Sequence, residues 1–194
     1  MVLTASNMLA LGTRAPAFFL ADTSDRMVAL DDIPATKGLL VVFMCNHCPY
    51  VQHVLAELIA LGREYVAKGI GMVGINANDD QAYPNDSHDQ MKTLFRRKGL
   101  SFPYLHDASQ EVARRYQAAC TPDIFLFDGD KRLVYRGQLD DARPGNQVAV
   151  SGRDLRRALD ALLKGEPIAG EQKPAMGCNI KWRPGNEPDY FSLA

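Results

Sequence analysis

The sequence lacks any long apolar segment. No uninterrupted apolar run in its 194 residues approaches the roughly 20 residues that a membrane-spanning helix needs. The opening MVLTASNMLALGTRAP also lacks the basic stretch and the sustained apolar stretch of a secretory signal. Unless a signal has already been removed, we therefore expect a cytoplasmic protein that does not associate with a membrane.

The chain also lacks an excess of charge and an excess of cysteine. Its formal net charge is −1, which gives no reason to expect nucleic acid or an anionic membrane as a partner. Four cysteines are too few for a disulfide scaffold in a chain of this length. Internal repeats and low-complexity segments are absent as well, so we expect one domain over residues 1–194, with 166–194 as an extension packed on it.

What the sequence does contain is a strand pattern that runs directly into a CxxC motif. The apolar run 39–44 ends at Cys45-Asn46-His47-Cys48, and apolar residues at helical spacing follow: Val51, Val54, Leu55, Leu58 and Ile59. The pattern predicts a buried strand and then a helix whose first turn carries both cysteines. Two cysteines three positions apart lie close enough for a disulfide, and the helix dipole favours a thiolate at Cys45. We interpret the motif as a redox site.

The remaining patterns predict a mixed α/β fold. Beyond an irregular lead-in over residues 1–16, the predicted elements are a hairpin at 17–30, a strand at 70–76 parallel to the first, helices at 89–97 and 109–118, a hairpin at 124–135, and a helix from a Ser151 capping box to Leu163. This order indicates a mixed sheet with helices on both faces. Chemistry in such sheets gathers beyond the carboxyl ends of the parallel strands. The tail 166–194 carries Cys178, Trp182 and other apolar residues, so it should wrap over the body.

Several blocks carry a family resemblance. The element order with CxxC at the start of the first helix resembles the thioredoxin-like fold, and LGTRAPAF (11–18) before a hairpin resembles the redoxin branch of peroxiredoxins (AhpC/TSA type) and TlpA-like proteins. The blocks FMCNHCPYV (43–51), YPNDS (83–87), CTPDIFLFD (120–128) and GCNIKW (177–182) resemble a peroxiredoxin-like group within this family. The resemblance implies thiol chemistry at the CxxC motif.

The predicted position of the motif at a helix N-terminus assigns roles to its residues. Cys45 is expected to be the nucleophile, more exposed than Cys48, and Cys48 is expected to resolve the mixed disulfide. A Cys45 sealed away from solvent, or separated from Cys48 beyond bonding reach without a rearrangement to bring them together, would leave the redox assignment without support. His47 is expected to stabilise the Cys45 thiolate by charge or hydrogen bond, which would make the pair more oxidising. The alternatives are a pair of buried structural cysteines and an exposed histidine with no role.

Two further positions follow from the resemblance. Pro122 matches the cis-proline that faces the CxxC motif, which would leave the Thr121 backbone free to pair with an extended substrate. An ordinary trans proline at the start of a strand is the alternative. Cys120 and Cys178 are candidates for a second redox pair. They could equally be two separate buried thiols, or a disulfide formed during preparation.

These residues predict a thiol–disulfide oxidoreductase. Its partners would be protein or small-molecule thiols and disulfides, together with an electron donor that the sequence does not identify. Its only redox group would be its own disulfide, and it would hold no metal. One alternative is a thiol peroxidase using Cys45, although Val42 stands where peroxiredoxins carry threonine or serine. The others are a zinc or copper protein using Cys45, Cys48 and His47 or His53, and a catalytically silent interaction domain.

Overall fold

A computed structural model describes residues 2–191 of the protein. The strands are β1 (Leu3–Ala5), β2 (Phe19–Asp22), β3 (Met27–Ala29), β4 (Gly38–Phe43), β5 (Ile70–Asn76), β6 (Tyr104–His106), β7 (Cys120–Thr121), β8 (Asp123–Asp128), β9 (Leu133–Arg136) and β10 (Met176–Asn179). The helices are α1 (Pro49–Val66), α2 (His88–Lys98), α3 (Glu111–Arg115) and α4 (Arg153–Lys164).

The central sheet is mixed and has a core on each face. Its strand order is β3-β2-β6-β5-β4-β8-β9, with β4 parallel to β5 and antiparallel to β8. Strand side chains alternate between faces: Leu40 and Val42 pack in the core formed with α1, α2 and α4, whereas Val41 and Phe43 pack in the core formed with α3 and the tail. The predicted thioredoxin-like fold, with helices on both faces, is confirmed.

Both predicted hairpins and the parallel β4–α1–β5 unit are present, but two helix starts differ from the prediction. The helix expected at 109–118 is the shorter α3, because Gln110 has φ 64 and its buried side-chain amide donates to the carbonyl oxygens of Ala77 (2.7 Å) and Lys181 (2.9 Å). The expected Ser151 capping box does not form. Gly152 precedes α4 instead, and the amides of residues 151 and 152 donate to the carboxylate of Asp140.

The two ends of the chain meet in a second, three-stranded sheet of order β1-β10-β7. Residues 1–16 were predicted to be irregular, which is wrong for β1. The tail lies across the body, with β10 between the other two strands and with Ile180 and Trp182 buried in the core on the α3 side. The last residues of the predicted extension, 192–194, lie outside the described part. Within residues 2–191, none of the helices is both long and apolar enough to cross a bilayer.

Candidate active site

The CxxC motif lies at the carboxyl end of β4, as predicted, but only its second cysteine is at the helix terminus. Helix α1 begins at Pro49, and Cys48 precedes it in an extended conformation with φ −69 and ψ 120. Proline fits the first helical position and pushes its predecessor out of the helical region. Cys45 is therefore in the loop before the helix, and the positive end of the helix dipole acts mainly on Cys48.

Both sulfurs of the motif are buried. Cys45 is 1% exposed and Cys48 is fully enclosed, so the expectation of an exposed Cys45 is wrong for this conformation. The residue that covers both is Thr121. Its hydroxyl oxygen lies 3.6 Å from the Cys45 sulfur, and its carbonyl oxygen accepts a hydrogen bond from the Cys48 thiol at 3.1 Å. A reacting partner can therefore reach Cys45 only after some of this cover moves.

The Thr121–Pro122 peptide is cis, as the resemblance implied. The Thr121 backbone, however, is not free for a substrate, because β10 already pairs with β7 and sets Cys178 opposite Thr121. Close approach is possible because residue 177 is glycine: a Cβ atom there would lie 2.0 Å from the Thr121 carbonyl oxygen. The tail strand thus occupies the edge that we had assigned to an extended substrate.

The four cysteines do not group as predicted. Cys178 is directly opposite Thr121 and Cys120 is opposite Asn179, and directly opposed side chains share a face while successive ones alternate. Cys120 and Cys178 are therefore on opposite faces of the small sheet. The Cys120 thiol donates toward the carbonyl oxygens of Pro122 (3.6 Å) and Ala175 (4.0 Å).

Cys178 instead hydrogen bonds with Cys48, and the sulfurs of Cys48 and Cys45 both lie against Thr121. The proposed Cys120–Cys178 pair is thus not brought together. The structure forms a group of three thiols with Cys48 in the middle. All three belong to the core on the α1 side of the sheet.

The arrangement of the three thiols determines which of them loses its proton first. Hydrogen bonds from Cys178 and Cys45 hold the pKa of Cys48 well below its usual value, although burial acts against this. The pKa of Cys45 is raised by its hydrogen bond to Cys48, by burial and by the charge of Asp86. The pKa of Cys178 is raised by its hydrogen bond to Cys48 and by burial. Of these three thiols, Cys48 is therefore the one that loses its proton most readily, not Cys45 as the sequence suggested.

This assignment predicts opposite effects of replacing the two cysteines. Cys48→Ser should lower the pKa of Cys45, because the neighbouring thiolate that raises it is gone. Cys45→Ala should instead raise the pKa of Cys48, which then loses a donor at residue 45, because alanine, unlike serine, has no donor to replace the thiol. Thiolate absorbance followed against pH measures both values. A Cys45 that titrates below Cys48 in the wild-type protein would contradict the assignment.

His47 is paired with a buried carboxylate. Its Nδ1 lies 2.5 Å from Oδ2 of Asp86, and its ring stacks on Tyr83 with the centroids 5.4 Å apart. Asp86 also accepts the amide of Asn46 (2.7 Å) and the side-chain amide of Asn78 (2.7 Å). Burial raises the pKa of Asp86, but the hydrogen bonds from His47 and Asn78 outweigh it and leave the pKa below its usual value.

This pairing changes the expected role of His47. Nδ1 serves Asp86, and the carboxylate raises the pKa of Cys45, so stabilisation of a Cys45 thiolate by His47 finds no support in this conformation. From the sequence, Asp86 was expected to help shape a substrate groove or simply to form a turn. The YPNDS block was the only signal of a further role, and its spacing does not reveal the contact. Ligand atoms of Cys45, His47 and Asp86 lie within 4.8 Å of one another, so this group could also hold a metal ion. His53 is not part of it.

Comparison with known proteins agrees with the fold. A family model described as the AhpC/TSA family matches residues 11–136. Thiol-disulfide oxidoreductase ResA of Bacillus subtilis (strain 168) is 24% identical over 123 residues, which are 63% of this chain and 64% of that protein. ResA of Geobacillus thermodenitrificans (strain NG80-2) is 25% identical over 130 residues, 67% and 70% of the two chains. The chain thus spans just under two thirds of the length of the first of these relatives.

Solved structures extend the likeness to nearly the whole chain. A crystal structure of an uncharacterized conserved protein from Geobacillus kaustophilus has a TM-score of 0.94 and 48% identity, covering 95% of this chain and 98% of that one. A putative thiol:disulfide interchange protein DsbE from Chlorobium tepidum, at 22% identity and TM-score 0.63 over 80% and 99% of the chains, shares the fold. Since the family match covers more than half of the sequence, this protein belongs to the AhpC/TSA family of thioredoxin-fold redoxins.

Proposed function

We propose that the protein is a thiol–disulfide oxidoreductase that works through a Cys45–Cys48 dithiol and disulfide. The observation that carries the proposal is that both sulfurs of the motif lie at the carboxyl end of β4 against Thr121, the residue whose peptide to Pro122 is cis: the Cys45 sulfur is 3.6 Å from the Thr121 hydroxyl oxygen and the Cys48 sulfur is 3.1 Å from the Thr121 carbonyl oxygen. Cysteines three positions apart whose sulfurs share one neighbour can form a disulfide with little rearrangement. The names of the ResA relatives support the same activity. The electrons are carried by the cysteine sulfurs themselves.

The adjacent thiols of Cys45 and Cys48 support a two-step exchange with a substrate disulfide. The Cys45 proton passes to the Cys48 thiolate, and the Cys45 thiolate attacks a substrate disulfide, which forms a mixed disulfide and releases one substrate thiolate. Cys48 then gives its proton to that thiolate and attacks the Cys45 sulfur, which forms the Cys45–Cys48 disulfide and releases the second substrate sulfur as a thiolate. The substrate gains two electrons and the protein loses two. Run backwards, the same steps oxidise a dithiol.

Turnover of a disulfide tests the proposal. With dithiothreitol as reductant and insulin as substrate, the wild-type protein should catalyse reduction, and Cys45→Ser should lower the rate at least tenfold because no mixed disulfide can form at residue 45. Cys120→Ser is the matched control, since Cys120 is an equally buried thiol on the opposite face, and it should retain the rate. A wild-type rate equal to the uncatalysed one would overturn the proposal.

Two further measurements on the wild-type protein test the other candidate functions, a thiol peroxidase and a metal-binding protein. Rapid, Cys45-dependent consumption of hydrogen peroxide would favour a thiol peroxidase. The Thr121 hydroxyl near the Cys45 sulfur supplies a polar group that β4 itself lacks. The clustered ligand atoms of Cys45, His47 and Asp86 make metal binding the other candidate. Stoichiometric zinc or copper in protein purified without chelator would favour that function and contradict ours.

A further inference from the structure

We propose that Cys178 is a third redox thiol of this site, which exchanges with the Cys45–Cys48 disulfide by attacking Cys48. This inference rests on the proposed function and adds a residue to it. Cys48 is in the middle of the group: Cys178, its hydrogen-bond partner, is paired opposite Thr121, and the sulfurs of Cys48 and Cys45 both contact Thr121. It can therefore form a disulfide with either neighbour. The family match ends at residue 136, so Cys178 lies outside the segment that defines the family.

The position of Cys178 is fixed by strand pairing on both sides. Leu3 of β1 is opposite Cys178 on one edge of β10, and Thr121 of β7 is opposite it on the other. The carbonyl oxygen of Thr121 also accepts the Cys48 thiol. Thr121 thus contacts both cysteines: its backbone pairs with the strand that carries Cys178, and its carbonyl oxygen lies against the sulfur of Cys48. An extended substrate that paired with Thr121 would place its own sulfur next to Cys48. The tail strand β10 already pairs with Thr121 and places the thiol of Cys178 at this position.

The exchange needs no external oxidant or reductant. The Cys178 thiolate attacks the sulfur of Cys48 in the Cys45–Cys48 disulfide, the Cys48–Cys178 bond forms, the Cys45–Cys48 bond breaks, and Cys45 leaves as a thiolate. The proton that Cys178 gives up passes to Cys45, so the number of protons and electrons on the protein is unchanged. The oxidised protein then holds its disulfide between Cys48 and Cys178, and Cys45 is again a thiol.

A packing role is the competing explanation for Cys178, because a buried cysteine also serves as a small apolar residue. The two explanations differ in which disulfides form. Cys120 offers a matched control. It is equally buried and is also a strand residue of the small sheet, but its thiol points to the Pro122 and Ala175 carbonyl oxygens on the other face.

Mapping disulfides after mild oxidation tests the inference. Reduced protein is treated with a single equivalent of diamide, quenched in acid, blocked with N-ethylmaleimide, digested without reductant and analysed by mass spectrometry. We expect wild-type protein to contain both Cys45–Cys48 and Cys48–Cys178, in amounts within roughly tenfold of each other since one disulfide is exchanged for another. The maleimide should mark Cys45 in the Cys48–Cys178 fraction.

The variants should shift the linkages in defined ways. Cys45→Ser should form Cys48–Cys178, Cys178→Ser should form only Cys45–Cys48, and Cys120→Ser should match the wild type. Wild-type protein with Cys45–Cys48 alone, together with a Cys45→Ser variant that stays reduced, would overturn the role of Cys178 and leave the proposed function standing. Wild-type protein that forms neither disulfide would overturn both.

Discussion

Replacing Asp123 with asparagine should abolish a loss of stability of about 4 kcal/mol that the wild-type protein undergoes between roughly pH 4 and pH 7. Asp123 is the first residue of β8 and is fully buried. Burial raises its pKa from 3.8 to about 7, although the amides of Ala119, Cys120 and Ile124 act in the opposite direction. Its Oδ1 has no hydrogen-bond partner, and its Oδ2 accepts the Ala119 amide at 2.9 Å. Hydrogen bonds therefore compensate the buried negative charge only in part.

The direction of the effect follows from proton binding. The folded protein keeps the Asp123 proton up to about pH 7, whereas the unfolded chain has lost it above about pH 4. The folded state therefore binds more protons in this window, and its stability falls by about 1.4 kcal/mol for each unit of rising pH. Asparagine keeps the acceptor for Ala119 and carries no charge. The variant should be close to the wild type at pH 4 and clearly more stable at pH 8.

Urea unfolding of both proteins from pH 4 to pH 8 measures the difference in their free energies of unfolding. The contributions of other titrating groups cancel in this difference, because both proteins contain them. Asp130→Asn is the control, because Asp130 is an exposed aspartate in the turn between β8 and β9. That variant should follow the wild-type curve. An Asp123→Asn variant whose difference from the wild type stays constant from pH 4 to pH 8 would show that the residue is charged in the folded protein throughout.

Gly177→Ala should release the tail strand from Thr121 and expose the three-thiol group. The new Cβ atom would lie 2.0 Å from the Thr121 carbonyl oxygen, which is part of the backbone and cannot turn aside. Loss of the hydrogen bonds between β10 and β7 costs on the order of 1 kcal/mol for each bond. With two residue pairs between these strands, the loss is about 2 kcal/mol, and opening should become about thirtyfold more frequent, since each factor of ten corresponds to about 1.4 kcal/mol.

The rate of alkylation of Cys48 and Cys178 measures this opening. A rise of about thirtyfold is expected in the variant if the thiols react only in the open form. Gly129→Ala is the control, since the nearest atom to a Cβ there is 3.8 Å away. If β10 also blocks substrate at Thr121, Gly177→Ala should speed insulin reduction as well. Unchanged alkylation would show that the thiols are reached by a path that does not involve β10.

The sequence alone determined the frame of the site. The apolar run before Cys45 and the helical pattern after Cys48 could only form a buried strand followed by a helix, because both patterns are local and strong. The two hairpins and the parallel crossover follow from equally local signals. The cis peptide at Pro122 came from the resemblance, and the order of these elements was sufficient to predict the sheet and the edge at which chemistry gathers.

The tertiary structure decided which side chains meet at that edge. The pairing of Cys178 with Cys48 depends on the register of β10 against β7, two segments more than 50 residues apart in the sequence. A shift of one residue would turn Cys178 to the opposite face. The contact between His47 and Asp86 depends in the same way on the path of a loop. Local sequence patterns set the elements, whereas long-range pairing set the lowered pKa of Cys48, the burial of Cys45 and the closed edge at Thr121.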